Sequence, residues 1–239
     1  MIKQLKYVSL LLIVVFIGCN DQNSSINNDV KIVGAMKNVM KKGQLQGTIN
    51  LDTIGNKQHL YGLGPVEYLS GELMIFDGKS YKSTVTSPTT MTVEETFDVK
   101  APFFGYANIE KWTKHSLPDS ISTIKQLENY LDKIKKDNNN PFMFKLSGTM
   151  ETAKIHVINL PKGIKVSSHQ DAHKGLVHFD LKDEKADILG FYSTQHKAIL
   201  THHDTSIHLH LLTADKKKMG HLDSVKFKKG SVTLFIPTI

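Results

Sequence analysis

The chain has 239 residues, of which 40% are hydrophobic and 22% charged, and a formal net charge of +7. At roughly 100–200 residues per domain this is one or two globular domains, and the composition excludes a disordered chain or a coiled coil. All 30 basic residues are lysine, so no planar guanidinium clamp is possible.

The lysines cluster only as Lys41-Lys42, Lys135-Lys136, Lys216-Lys217-Lys218 and Lys228-Lys229. They lack the interleaved aromatics of a nucleic-acid stacking surface, so no nucleic acid is expected as a partner. Residues 1–18 place Lys3 and Lys6 ahead of an apolar run over 8–17 and then Gly18, the order of a secretory signal. The run is shorter than the roughly 20 apolar residues that span a bilayer. Its removal takes away two lysines and no acid, so the charge falls from +7 to +5. The single cysteine, Cys19, has no partner for an internal disulfide. Phe16-Ile17-Gly18-Cys19 resembles a bacterial lipobox, whose cysteine is lipidated, and the polar stretch 19–29 reads as a tether. The expectation is an exported cell-envelope lipoprotein, held to a membrane by more than one acyl chain.

Val30, Ile32, Val33, Met36, Val39 and Met40 recur at near-helical spacing, and Lys41, Lys42 and Gly43 supply stop signals, which predicts a short amphipathic helix. Gly62-Leu63-Gly64 lacks the third glycine of a dinucleotide fingerprint, and Gly64-Pro65 reads as a turn. A strand is predicted over 72–76, ahead of Asp77-Gly78. Ile121, Ile124, Leu127, Leu131 and Ile134 form one helical stripe, with Asp119 or Ser120 as the cap and Lys133, Lys135 and Lys136 at the cationic end. Asn138, Asn139, Asn140 and Pro141 end that helix. Further short strands are predicted over 142–147, 153–158, 176–181, 187–192, 206–213 and 232–236. Strands do not alternate with helices, so the class is α+β with mainly antiparallel sheets, and a seam near 138–141 is a candidate sub-division.

Five of the 12 histidines fall between His202 and His221. A strand over 206–213 puts His208 and His210 on one face and Ile207, Leu209 and Leu211 on the other. His221 follows after a turn-forming stretch long enough for a hairpin to return it beside them. Three imidazoles with an open fourth position describe a catalytic zinc site; surface or buried structural histidines are the alternative reading. His202 and His203 are adjacent and read as a solvated loop pair. A cupin is discounted, because His202 stands where that motif wants glycine and Asp215 where it wants glutamate.

With these residues in view, the chain resembles the acetolactate decarboxylase family from about Val30 to Pro237. The resemblance rests on Tyr61-Gly-Leu-Gly-Pro-Val-Glu-Tyr-Leu-Ser-Gly-Glu-Leu-Met-Ile-Phe-Asp-Gly78, Ala101-Pro102-Phe103, the strand around Gly148, Ile188-Leu189-Gly190-Phe191, His208-Leu209-His210 and Gly220-His221. It implies two mixed β-sheet domains with a zinc site in the cleft between them, held by His208, His210 and His221. It also implies conversion of 2-acetolactate to acetoin and carbon dioxide, with Glu72 assisting catalysis. Two departures follow from the same resemblance: His156 stands where the family has an arginine, and the chain stops short of a C-terminal tail that bears another glutamate. His156 or Lys154, two residues apart on one strand face, is expected to present positive charge instead. The implied partners are a small anionic 2-hydroxy-3-keto acid, the membrane through the lipid anchor, and a second copy of the chain as a homodimer. The rival readings are a lipid-anchored zinc or oxyacid-binding protein without turnover, and hydrolytic zinc chemistry on another substrate.

Overall fold

The structure, a computed structural model, describes residues 28–135 and 140–238. The predicted signal segment, Cys19 and most of the tether lie outside them. Among the described residues no helix is long and apolar enough to cross a membrane.

The chain runs β1 (Lys31–Val33), α1 (Met36–Lys42), β2 (Ile49–Asn50), β3 (Leu60–Pro65), β4 (Glu72–Phe76), β5 (Lys79–Ser87), β6 (Thr90–Glu95), β7 (Lys100–Ala101) and β8 (Phe104–Asn108). It continues with β9 (Trp112–Ser116), α2 (Ile124–Ile134), β10 (Phe142–Val157), α3 (His169–Ala172), β11 (Val177–Tyr192), β12 (Ile207–Thr213), β13 (Met219–Phe227) and β14 (Thr233–Pro237). The first six-stranded sheet has the order β1-β8-β3-β4-β5-β6 and the second β11-β12-β13-β10-β14-β9, while β2 and β7 form a small ribbon. All the pairings between these strands are antiparallel, and the α+β class with two sheets is as expected. The chain passes from one sheet to the other between β8 and β9, earlier than the sub-division expected near 138–141.

Strands β10, β11, β12 and β13 pair in a closed circuit, because β10 bonds β11 on one side and β13 on the other. Alternation then sorts their side chains. Ile155, Val157, Ile207, Leu209, Leu211 and Leu222 fill the interior with Leu127 and Leu131 of α2. Met143, Leu189, Phe191, Leu212 and Met219 face outward and pack against Tyr61, Leu63, Met74 and Tyr81 of the first sheet. Lys145 bridges the same interface: its Nζ meets Tyr61 Oη at 3.0 Å and lies 4.6–5.3 Å from the ring centres of Trp112, Tyr61, Phe76 and Phe235. A desolvated ammonium over several rings is worth about 2 kcal/mol or more.

Several predicted elements are corrected. Val30, Ile32 and Val33 do not join the first helix; Gly34 sits at φ +69 and a Cβ there would lie 2.3 Å from the Pro102 carbonyl, so the β-branched stretch pairs with β8 as β1. The helix begins at Met36 and ends on Gly43 in the left-handed region, as its stop signals foretold. In the second helix Thr123 is the cap, in a reciprocal box with Gln126, because Asp119 is engaged with the Gly230 N–H. Gly64-Pro65 closes the buried strand β3 rather than making a turn. A Cβ at Gly64 would lie 2.5 Å from the Phe103 carbonyl, which is the close packing those glycines serve. The strands predicted over 142–147 and 153–158 are one strand, as are those over 176–181 and 187–192. Their polar middles pair with each other, from Ser147 opposite Asp187 to Thr152 opposite Lys182, and still pair outward with β12, β13 and β14, with Met150 and Ala186 in the interior.

One contact ties α2 to the segment that launches β12. Glu128, buried, accepts hydrogen bonds from Ser206 N at 2.6 Å, Thr205 Oγ1 at 3.1 Å and Lys125 Nζ at 2.9 Å. Burial pushes its carboxyl up, but the Ser206 N–H and the Lys125 and Thr205 donors outweigh that and hold it below its ordinary value. A lowered folded-state pKa stabilises the fold fully above the ordinary glutamate pKa, and that contribution declines below it and is lost as the pH falls through the lowered value. Glu128→Ala leaves the Ser206 N–H unsatisfied and is expected to cost about 1–3 kcal/mol, a Tm drop of several degrees at pH 7. Thermal denaturation of both proteins at pH 7 and at about pH 3.5 checks this, the gap narrowing at the lower pH.

Candidate metal centre

The inter-sheet face of the second sheet carries a row of histidines set by strand register. His210 of β12 is directly opposite His221 of β13, His221 is opposite His156 of β10, and His156 is opposite His178 of β11. His208 lies two residues before His210 and therefore on the same face. One ring nitrogen from each of His208, His210 and His221 falls within 4.8 Å of the others. The three histidines predicted as metal ligands are thus brought together by strand alternation and a returning hairpin.

Their surroundings fit a bound cation. Both ring nitrogens of His210 are buried without a hydrogen-bond partner; the Leu73 backbone lies alongside but does not meet hydrogen-bond geometry. Such orphaned polar atoms are rare in a folded interior and call for a ligand. His208 donates from Nδ1 to the Leu200 carbonyl at 2.8 Å, which leaves Nε2 with its free lone pair, the second contact that usually fixes a metal-binding imidazole. Burial lowers all three histidines, His210 to about 3, so they stand neutral and able to ligate.

Glu72 reaches this cluster from the first sheet. On β4, Leu73 and Ile75 turn to the outer core with Leu60 and Phe104, so Glu72 and Met74 face the second sheet. Glu72 is 4% exposed; its Oε1 accepts from Ile158 N at 3.3 Å and its Oε2 lies 3.6 Å from His210 Nε2. Burial raises its carboxyl well above the usual range. Met36, Met40 and Phe103 close the small cavity in front of Glu72, which has about 20 Å³, room for one water or ion.

His156 faces the same cavity, its ring centre 4.7 Å from that of His221, and its Nδ1 is 2.7 Å from Asp223 Oδ1. Lys154 does not join it, pairing instead with Asp180 at 3.6 Å on the exposed side. The expectation of a solvated His202-His203 pair is half corrected. His203 is exposed, whereas His202 lines the cavity with its ring centre 5.1 Å from that of His221. His173, His178 and Asp223 were not anticipated. Their places follow from the α3 loop and from long-range strand register, which local spacing does not encode.

The sequence model of one family, alpha-acetolactate decarboxylase, matches residues 33–236. The alpha-acetolactate decarboxylase of Brevibacillus brevis is 26% identical over 198 residues, which is 82% of this chain and 66% of that protein, so the chain spans just under two thirds of it. That of Lactococcus lactis subsp. cremoris is 22% identical over 80% of this chain and 78% of its own length. The crystal structure of the alpha-acetolactate decarboxylase of Bacillus subtilis strain 168 superposes with a TM-score of 0.72 at 18% identity, covering 88% of this chain and 86% of the other. A Staphylococcus aureus protein of unknown function similar to alpha-acetolactate decarboxylase gives 0.73 at 17% identity, covering 89% and 86%.

The triad depends on close approach of β13 to β10, since a Cβ on Gly220 would lie 2.4 Å from the His156 carbonyl. Gly220→Val is expected to displace His221 and weaken metal binding at the triad by at least about tenfold, and His210→Ala to weaken it further by removing a ligand. Competition titration against a chromophoric chelator measures both.

Proposed function

The chain belongs to the alpha-acetolactate decarboxylase family, and from that premise we propose that it is a zinc-dependent decarboxylase that converts 2-acetolactate to acetoin and carbon dioxide. The observation that carries this reading is the meeting of Glu72, from one sheet, with His208, His210 and His221, from the other, in one buried crevice. Three imidazoles with a fourth position open are the donor set of a catalytic zinc site. When zinc is bound, the chemistry it supplies is Lewis-acid withdrawal of electron density from the substrate's oxygens.

The substrate's own ketone is the electron sink, so no organic cofactor is needed. Breaking the carboxyl carbon bond releases carbon dioxide and leaves its electron pair as an enediolate, which becomes acetoin when one proton reaches carbon. Glu72 is the group that holds this proton: its burial favours the neutral acid, and the Ile158 N–H pins Oε1 so that Oε2 faces the histidines. Met36, Met40, Phe103 and Ile158 exclude water from the cavity, which strengthens each electrostatic contact within it.

A second reading, a zinc or oxyacid-binding protein without turnover, is favoured by one observation. His156 occupies the position where the resemblance implies arginine, and it is engaged by Asp223, whose carboxylate repels an anionic substrate. Loss of one well-placed donor in such a site costs about 100 to 1,000-fold in rate. Zinc-loaded protein is therefore expected to form acetoin slowly, Glu72→Gln to lower the rate by at least about 100-fold, and His156→Arg to raise it. No acetoin from either the unaltered protein or His156→Arg would leave the binding reading.

The same proposal includes export and anchorage through a lipidated Cys19, supported by the order of Lys3, Lys6, the apolar run and the lone cysteine. Intact mass is expected to show loss of residues 1–18 and a gain of acyl mass. An unprocessed chain, or Cys19→Ser retained equally in the membrane fraction, would refute it.

A further inference from the structure

Asp223 owes its position to an irregularity in β13. Along the pairing with β10, His156 is opposite His221, Ile155 is opposite Leu222, and Lys154 is opposite Ser224. Asp223 is the extra, unpaired residue of a β-bulge. Bulges beside sites re-aim a side chain, and this one turns the Asp223 carboxylate across the sheet toward His156 and His178. Its Oδ1 is 2.7 Å from His156 Nδ1 and its Oδ2 is 3.5 Å from His178 Nε2. His156 and His178 are themselves directly opposite each other on β10 and β11.

We propose that His156, His178 and Asp223 form a second divalent-cation site, beside the His208, His210 and His221 triad and sharing no ligand with it. One ligand atom from each of the three lies within 4.8 Å of the others. Donors on one zinc-sized ion, with bonds of 2.0–2.1 Å, stand about 3.4 Å apart, so small rotations of the exposed His178 ring complete the set. Two imidazoles and one carboxylate, with positions left open, suit zinc and the neighbouring first-row divalent ions.

The surrounding charge argues the same way. The three residues face a cavity of about 500 Å³ that is also lined by His169, His173, Leu176, His202 and His221. Among the described residues no lysine lines this cavity or the smaller one beside Glu72, although lysine is the commonest charged side chain of the sequence. The Asp223 carboxylate therefore points into a space whose cationic lining groups are imidazoles, with Lys41 acting only from beyond His169, and a bound cation neutralises it in place. Such a cation also sets positive charge at the position where the resemblance implies an arginine. The inference goes beyond the proposed function and does not rest on it, since neither Glu72 nor the triad takes part.

The test is zinc stoichiometry of the full chain, by equilibrium dialysis at micromolar zinc followed by elemental analysis. The unaltered protein is expected to hold two ions per chain, and His178→Ala and Asp223→Ala one each. The triple variant His208→Ala/His210→Ala/His221→Ala is expected to keep one, the ion that His178→Ala then removes. His178 and Asp223 are exposed, so their replacement leaves the fold intact, which thermal denaturation of each variant verifies. One ion per chain that survives both single variants overturns the second site, as do two ions that neither variant reduces. One ion lost with either single variant yet kept by the triple variant supports the second site and overturns the triad instead.

Discussion

Everything at the candidate site depends on the register of four antiparallel strands. Because β10 bonds β11 on one side and β13 on the other, and β12 closes the circuit, a single row of opposed residues runs His210, His221, His156, His178. A slip of one residue in any of these pairings would turn its histidine into the apolar interior and bring a leucine or isoleucine out. The interior resists that slip: Ile155, Val157, Ile207, Leu209, Leu211 and Leu222 sit between the histidines and are buried with α2. The hydrophobic core of the second sheet is thus what specifies the polar constellation on its other face.

The first sheet contributes enclosure and one carboxyl. Burying Glu72 and three imidazoles costs desolvation, and all four respond by favouring their neutral forms. Neutral imidazoles cost less to bury, but two nitrogens of His210 still lack partners. That deficit is sustained by the inter-sheet packing of Tyr61, Met74, Phe191, Leu212 and Met219 and by the Lys145 aromatic box. A site that is incomplete without a ligand, held by a core that is complete, is the arrangement expected where function opposes local stability.

Period-two alternation made β12 legible in the sequence, and with it His208 and His210, whereas Glu72 at the start of β4 came only from the family resemblance. Helix α2 was legible from its apolar stripe, although its cap was not, because Asp119 and Thr123 compete for the role and only the distant Gly230 decides between them. The long strands β10 and β11 read as four short ones. Their middles look like turns because polar residues outnumber Met150 and Ala186, which reach the interior only once the long strands are paired. His173, His178, His202 and Asp223 were out of reach for a related reason. Each is placed by a loop, a bulge or a cross-strand partner more than ten residues away, and a bulge at Asp223 shifts the phase that alternation would assign to it.

The position of the positive charge is the last constraint. A chain whose only fixed cations are lysines must hold any buried positive charge on a flexible ammonium or do without it, because a lysine at His156 would be a strongly hydrated charge in a water-poor crevice. The crevice does without it: Lys145, set between the sheets, is held in the aromatic box, and burial lowers its pKa there. Imidazoles are the cationic-capable groups that line both cavities, beside apolar side chains, Glu72 and Asp223. Unlike ammonium or guanidinium groups, neutral imidazoles do not repel a metal ion, and they are ligands for one. The strand register that sets the histidines side by side thus makes the crevice a row of neutral nitrogen donors rather than a surface of fixed positive charge.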